Sequence, residues 1–115
     1  MKKSKAFEYD LTRYPNWIDP ADVVPYERNA KKHDERQIKN IVNSLNRFGW
    51  QQDTVLTLDF VCVVGHGRRE AALKIGCKMP YHFVAKTADE LTEDDIRELR
   101  NAGDREREIV QSLGK

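Results

Sequence analysis

The residues best suited to chemistry lie in one short segment, where two glycines flank a histidine and two arginines follow directly. They are Gly65, His66, Gly67, Arg68 and Arg69. An apolar run precedes them and a helical pattern follows, which predicts a turn from a strand into a helix. The first turn of a helix offers N–H groups and a positive dipole end, and arginine adds planar donors that suit phosphate. We therefore predict a phosphate-binding turn. A glycine-rich turn with solvated arginines is the alternative.

A second basic segment lies immediately before the first predicted helix. Its candidate ligand-binding residues are Arg28, Asn29, Lys31, Lys32 and His33. If this loop and the glycine turn lie at one edge of the sheet, they form two walls of one anion site. The alternative is a solvated, charged loop.

Other chemistry has less support from spacing. The chain has three histidines: His33, His66 and His82. Their separations match no compact metal-binding motif, so no metal site is predicted. Three carboxylates are candidate acid-base groups: Glu27, Asp53 and Glu70. Spacing does not pair any of them with a partner.

Composition limits the classes of protein. The 115 residues suit one domain, and a net charge of +1 gives no global basic field, so any nucleic-acid contact must come from a local patch. No apolar run reaches the ~20 residues that span a bilayer, and no apolar signal region follows the first lysines. We expect a cytoplasmic protein without membrane contact. Cys62 and Cys77 are expected to be free thiols.

Periodicity and capping signals predict the elements. A helix is expected from Asp34 to Phe48, with Asp34 as N-cap, Gln37 as its capping-box partner and Gly49 as the stop. Its predicted apolar face comprises Ile38, Ile41, Val42, Leu45 and Phe48. The other expected elements are an edge strand or extended entry at 18–26, strands at 53–58 and 60–64 around a turn at Asp59, a helix at 66–75, a strand at 79–85, a Thr92-capped helix with Ile96 and Leu99 inside, and a helix at 104–113.

These elements predict a single domain of α+β or α/β class, in which helices pack around a small mixed sheet. We expect a flexible basic arm over residues 1–17, the domain itself over 18–101, and a C-terminal helical segment over 102–115.

Three stretches together resemble the N-terminal domain of ParB-like proteins, in the ParB/sulfiredoxin superfamily. They are Val24–His33, the helix end and following residues Ser44–Gln52, and Val64–Gly76. The resemblance covers about 18–101, and the chain looks most like short stand-alone members found in phages and mobile elements. It implies an α+β fold with a small mixed sheet.

The resemblance also implies a function. In ParB proteins the segment corresponding to Gly65–Ala71 grips the triphosphate of CTP, helped by the loop corresponding to Arg28–His33, and the domain is a nucleotide-gated clamp on DNA. It implies a nucleotide such as CTP, with Mg²⁺, as cofactor, and DNA as a weak, non-specific partner. Some relatives are described as nucleases, and others transfer phosphate from a nucleotide.

The sequence departs from the ParB pattern Gly-Glu-Arg-Arg, aromatic, Arg. His66 stands at the glutamate position, Gly67 at the first arginine and Glu70 at the last arginine, so we expect a weaker or altered anion site. Aligned with sulfiredoxins, His66 also stands at the catalytic cysteine, so sulfinic-acid reduction is not expected. Residues after Asn101 are too few for the helix-turn-helix domain with which ParB reads DNA.

Three functions remain open. The first is a binding module for a nucleotide or DNA phosphate, with Arg68 and Arg69 as phosphate contacts. The second is an enzyme, a nuclease or a nucleotide-dependent transferase or hydrolase, with His66 or Glu27 as the base. The third is a regulatory subunit with a degenerate pocket that binds a protein partner. A homodimer is compatible with each.

Overall fold

The computed structural model describes residues 4–26 and 34–102 of the chain. In chain order it contains β1 (Trp17–Ile18), β2 (Val24–Pro25), α1 (Glu35–Phe48), β3 (Thr54–Leu56), β4 (Val61–Val64), α2 (His66–Ile75), β5 (Met79–Phe83) and α3 (residues 93–102). Short 3-10 turns occur at Lys5–Phe7, Pro20–Asp22 and Ala88–Glu90. The predicted basic loop and the helix predicted at 104–113 lie outside the described residues.

The five strands form one mixed sheet in the order β1-β5-β3-β4-β2. The two strands predicted around a turn at Asp59 are present as a hairpin, because β3 and β4 pair antiparallel with a bulge between Val55 and Leu56. The pairs β3–β5 and β2–β4 are parallel, whereas β1 and β5 are antiparallel. The predicted α+β class and mixed sheet are therefore confirmed.

The prediction of one short edge strand within 18–26 was too simple. Pro20 begins a 3-10 turn, and Asp19 caps that turn by accepting a hydrogen bond from Ala21. The chain therefore forms two strands of two residues each, and they lie at opposite edges of the sheet. The edge position of β2 suits Pro25, since proline cannot donate to a central ladder.

Helix α1 has the predicted ends. The Asp34 side chain accepts a hydrogen bond from the Gln37 amide, and the Gln37 side chain accepts one from the Asp34 amide. Gly49 ends the helix at a φ of 79°, where glycine avoids the strain of a side chain. One detail was wrong: Phe48 is 58% exposed, although periodicity placed it on the apolar face. Periodicity gives the direction of a side chain but not whether another element covers it.

The core lies on both faces of the sheet, because neighbouring residues of a strand point to opposite sides. Leu56 and Cys62 pack with residues of α1 and α2, including Ile38 and Leu45. Val55 and Val63 face the other way, and Ile96 and Leu99 of α3 cover them. Thr92 caps α3 as predicted, since its hydroxyl accepts from the Asp95 amide at 3.1 Å.

The N-terminal segment packs against the domain from Ser4 onward. Ala6 is fully buried, and the Tyr9 hydroxyl accepts a hydrogen bond from the Lys78 amide at 3.1 Å. Trp17 already belongs to the sheet, one residue before the boundary expected from the sequence. Within residues 4–26 and 34–102, no helix is both long and apolar enough to cross a membrane.

Candidate functional site

The predicted glycine turn joins β4 to α2. Gly65 has a φ of 97° and ψ of 29°, the left-handed region that glycine adopts most easily. A Cβ atom on Gly65 would lie only 2.7 Å from Cγ2 of Thr54. Thr54 is fully buried, and its hydroxyl is fixed by donating to the Pro80 carbonyl at 2.8 Å. Both the backbone conformation and the packing therefore require glycine at the start of α2.

Arg68 lies within the first turn of α2, and a side chain from outside the helix holds it. Its Nη2 atom donates a hydrogen bond to Oε1 of Gln52, two residues before β3. Gly67 is buried in the same turn, and His66 and Arg68 are partly buried. The turn therefore combines a helix N-terminus with a positioned guanidinium, an arrangement suited to an anion.

Arg69 has contacts that the sequence did not predict. Its Nε donates to the Pro20 carbonyl and its Nη2 to the Val23 carbonyl, each at 3.1 Å. These bonds fasten the segment between β1 and β2 to α2. The guanidinium is thus engaged by the fold, and a phosphate contact from Arg69 stays an untested prediction.

The basic loop with Arg28, Lys31 and His33 lies outside the described residues, but β2, the strand that precedes it in the sequence, is described. Pro25 of β2 is paired in register with Cys62 of β4, and the two strands run parallel. The chain therefore leaves both strands at the same end of the sheet. A shared pocket for the loop and the turn stays a prediction that this strand order favours.

A pair of titratable side chains lies near the turn, and sequence reasoning missed it. Asp53 Oδ2 and His82 Nδ1 are 2.7 Å apart, and His82 is about half exposed. Asp53 is the sequence neighbour of Gln52, the residue that holds Arg68. The pair forms because β3 and β5 are parallel, with Val55 opposite His82. Only that pairing could have revealed the contact, since the two residues are 29 positions apart.

Comparison with known proteins finds likenesses in both sequence and structure. No family model matches the chain. The ParB-like nuclease domain-containing protein YnaK of Escherichia coli (strain K12) is 33% identical over 51 residues, which are 44% of this chain and 59% of that protein. The chain thus matches less than two thirds of that relative's length.

The second likeness is to the crystal structure of sulfiredoxin from Arabidopsis thaliana. Its TM-score is 0.56 at 15% identity, over 64% of this chain and 88% of that one. An identity this low establishes the fold alone. Together the two likenesses confirm the resemblance found in the sequence. The chain therefore has the ParB/sulfiredoxin fold and resembles a ParB-like domain.

Neither cysteine of the chain has the environment of a nucleophile. Cys62 is fully buried in β4, and burial raises the pKa of its thiol to about 11, although the charges of Arg69 and Arg68 oppose the shift. Burial also raises the pKa of Cys77. Because both pKa values are raised, both thiols are protonated at neutral pH. The reactive form of cysteine is the thiolate, so neither side chain is expected to act as a nucleophile.

Metal binding has little support among the described residues. Within residues 4–26 and 34–102, no three His, Cys, Asp or Glu side chains are grouped closely enough to hold a metal ion. The Asp53–His82 pair supplies two such groups.

Proposed function

We propose that this ParB-like domain is a nucleic-acid-associated binding module that holds a phosphate group of a nucleotide or of DNA at the turn from Gly65 to Arg68. The observation that carries the proposal is the left-handed Gly65, packed against Thr54, with Arg68 fixed beside the helix start by Gln52. The ParB-like relative supports a nucleic-acid context for the domain.

Charge and geometry favour phosphate over other anions. The amides of the first turn of α2 and the planar guanidinium of Arg68 can bind several oxygens of one tetrahedral group. In the proposal Arg28, Lys31 and Lys32 approach from the loop after β2, with Asn29 and His33 beside them. Magnesium, where present, arrives with the phosphates of a nucleotide such as CTP, since Mg²⁺ usually needs few protein ligands.

The proposal also concerns the surroundings of the protein. Nucleotides and DNA are available in the cytoplasm, so we propose that location. A DNA contact through phosphate alone is weak and independent of sequence. A homodimer or a protein partner is compatible with the site.

A second candidate function is phosphodiester or nucleotide hydrolysis, and the Asp53–His82 pair favours it. A carboxylate that accepts from Nδ1–H fixes the tautomer of a histidine and lets Nε2 act as a base toward water. The relative's printed name includes a nuclease domain. His82→Gln should then abolish nucleotide hydrolysis or DNA cleavage while binding remains, and equal activity in both proteins would remove this candidate.

The test of the binding proposal is a titration followed by backbone amide NMR. Pyrophosphate, CTP, ATP and a short DNA duplex are added separately, with and without Mg²⁺. We expect shifts at residues 65–70 with at least one of them. Shifts absent from 65–70 with every ligand would contradict the proposal and favour a regulatory subunit with a degenerate pocket.

Paired variants make the test specific. Arg68→Gln should weaken binding about 10- to 100-fold, because a hydrogen bond to a charged group contributes roughly 1.5–3 kcal/mol. Arg97→Gln is the matched control, since Arg97 is exposed on α3 and pairs with Asp94. Equal losses in the two variants would indicate a diffuse charge effect rather than a site.

A further inference from the structure

A cleft lies between the N-terminal segment and the end of α1, with a volume of about 400 Å³. Aromatic side chains dominate its lining. Five of the ten aromatic residues of the chain are there, including both tryptophans: Tyr9, Tyr14, Trp17, Phe48 and Trp50. The sequence alone predicted no role for this group of aromatic residues.

Hydrogen bonds and ring contacts hold these walls in place. Trp17 Nε1 donates to the Tyr14 carbonyl at 2.7 Å, and the Trp17 ring lies 4.7 Å from that of Tyr9 and 6.3 Å from that of Trp50. Tyr9 is 38% exposed and Phe48 is the most exposed ring of the cleft. The cleft thus offers prearranged aromatic surface to solvent.

The charged side chains of the lining have partners within the protein, so the cleft favours a neutral ring over a charged one. Glu8 is paired with Lys5, and the Asp10 carboxylate accepts from the backbone amides of Thr12 and Arg13. The Arg13 guanidinium lies 5.2 Å from the centre of the Tyr14 ring. An aromatic cage for a cation would not place an arginine against one of its own walls.

The cleft is linked to the turn from Gly65 to Arg68 through two neighbouring residues, Gln51 and Gln52. Arg13 Nη2 donates to the Gln51 carbonyl at 3.1 Å, and the next residue, Gln52, holds Arg68. Burial raises the pKa of Tyr14, the charges of Arg13 and Arg68 lower it, and those of Asp53 and Asp10 raise it, so Tyr14 lies within electrostatic reach of groups on both sides of Gln52. The consecutive residues Gln51 and Gln52 therefore connect the aromatic cleft with the turn.

We propose that this aromatic cleft binds an unpaired nucleobase whose phosphate lies at the turn from Gly65 to Arg68. The inference rests on the proposed phosphate site and names its ligand class: a base with a phosphate, from a single strand or a free nucleotide. Any of the bases can stack on an aromatic side chain, because every base has a π-face. A base in a duplex is already stacked on its neighbours, so duplex DNA should not enter the cleft.

Intrinsic fluorescence tests this directly, because both tryptophans of the chain line the cleft. The probes are an oligothymidylate of about 12 nucleotides, an abasic strand of equal length and charge, CTP and ATP. We expect the thymidylate to quench the tryptophans and to bind about 5- to 100-fold more tightly than the abasic strand. Quenching by CTP or ATP alone would identify free nucleotides as the source, and quenching by the oligomer alone would identify single strands.

Phe48→Leu removes a ring but keeps an apolar side chain, and it should reduce the preference for thymidylate over the abasic strand at least about threefold. Phe83→Leu is the matched control, since Phe83 is 42% exposed and lies beside Phe60, away from the cleft lining. Amide NMR spectra of both variants check that the fold is kept.

The two proposals can fail separately. Equal affinity for thymidylate and abasic strands, without quenching, would overturn the base site and leave the phosphate site standing. Quenching that Phe48→Leu does not change would also overturn it. Base-dependent quenching without pyrophosphate shifts at 65–70 would keep the cleft as a base site and remove the phosphate from the turn.

Discussion

Gly65→Ala is expected to destabilise the protein more than Gly76→Ala. Both glycines have left-handed backbones, with φ of 97° and 83°. A Cβ at position 65 would lie 2.7 Å from Cγ2 of Thr54, whereas a Cβ at position 76 meets nothing within 4 Å. The two substitutions therefore share the backbone strain and differ in the steric contact.

The magnitudes follow from these two terms. A residue with a Cβ loses roughly 1–2 kcal/mol of stability in a left-handed conformation. Replacing glycine by alanine also lowers the entropy of the unfolded chain, which stabilises the folded protein by about 0.4–1 kcal/mol. Gly76→Ala should thus lose about 1 kcal/mol. Overpacking adds roughly 1–3 kcal/mol at Gly65, because Thr54 is fully buried and cannot move away easily.

Thr54→Ser isolates the steric term. Serine lacks Cγ2 but keeps the hydroxyl that bonds to the Pro80 carbonyl. Gly65→Ala should therefore cost about 1–2 kcal/mol less in a Thr54→Ser protein than in the original one. Relief should be partial, since Cβ of Thr54 would still lie 3.2 Å from the new methyl group.

Urea unfolding followed by circular dichroism measures these differences in a complete double-mutant cycle, with Gly76→Ala as the control variant. Equal losses for Gly65→Ala and Gly76→Ala would refute the reasoning. So would identical costs of Gly65→Ala in the threonine and serine proteins, because the contact with Cγ2 would then contribute nothing.

Two further predictions concern Arg69 and Asp59. Arg69→Met should destabilise the protein by about 2 kcal/mol, since it removes two charged hydrogen bonds to carbonyl oxygens, whereas Arg97→Met should change stability by less than about 0.5 kcal/mol in the same urea assay. A loss of phosphate binding without a loss of stability would contradict this structural role. Hydrogen bonds from the Thr57 hydroxyl and the Ala88 amide hold the pKa of Asp59 in the folded protein below its ordinary value of 3.8. These bonds therefore stabilise the folded protein fully above pH 3.8, and the stabilisation is lost as the pH falls through the lowered pKa. The urea midpoint should fall less steeply below pH 3.8 in Asp59→Asn than in the original protein, and equal slopes would contradict the assignment.

Features that depend on neighbouring residues were predictable from the sequence. The Asp34–Gln37 capping box, the glycine stop at Gly49 and the turn at Gly65 each depend on a few consecutive residues. The structure confirmed these elements. They were predictable because helix caps and left-handed turns strongly prefer particular residues at particular positions. The ParB-like resemblance depends on the same local stretches.

Features that depend on pairing across the chain were not predictable. Arg69 bonds to carbonyls 49 and 46 positions away, and the Asp53–His82 pair also required the strand order. The two-residue strands β1 and β2 carry no periodic signal, since two residues are too few to show alternation.

The sequence by itself determined a helix that starts at a glycine and presents arginines, because those properties belong to residues 65–69 alone. Tertiary structure decided what each arginine does. Packing directs Arg69 to the carbonyls of the 20–23 segment and Arg68 to Gln52 beside the turn. It also joined aromatic residues from the N-terminal segment and the end of α1 into one cleft, which Gln51 and Gln52 link to that turn. No local preference encodes these contacts, because they form only when segments distant in the chain fold together.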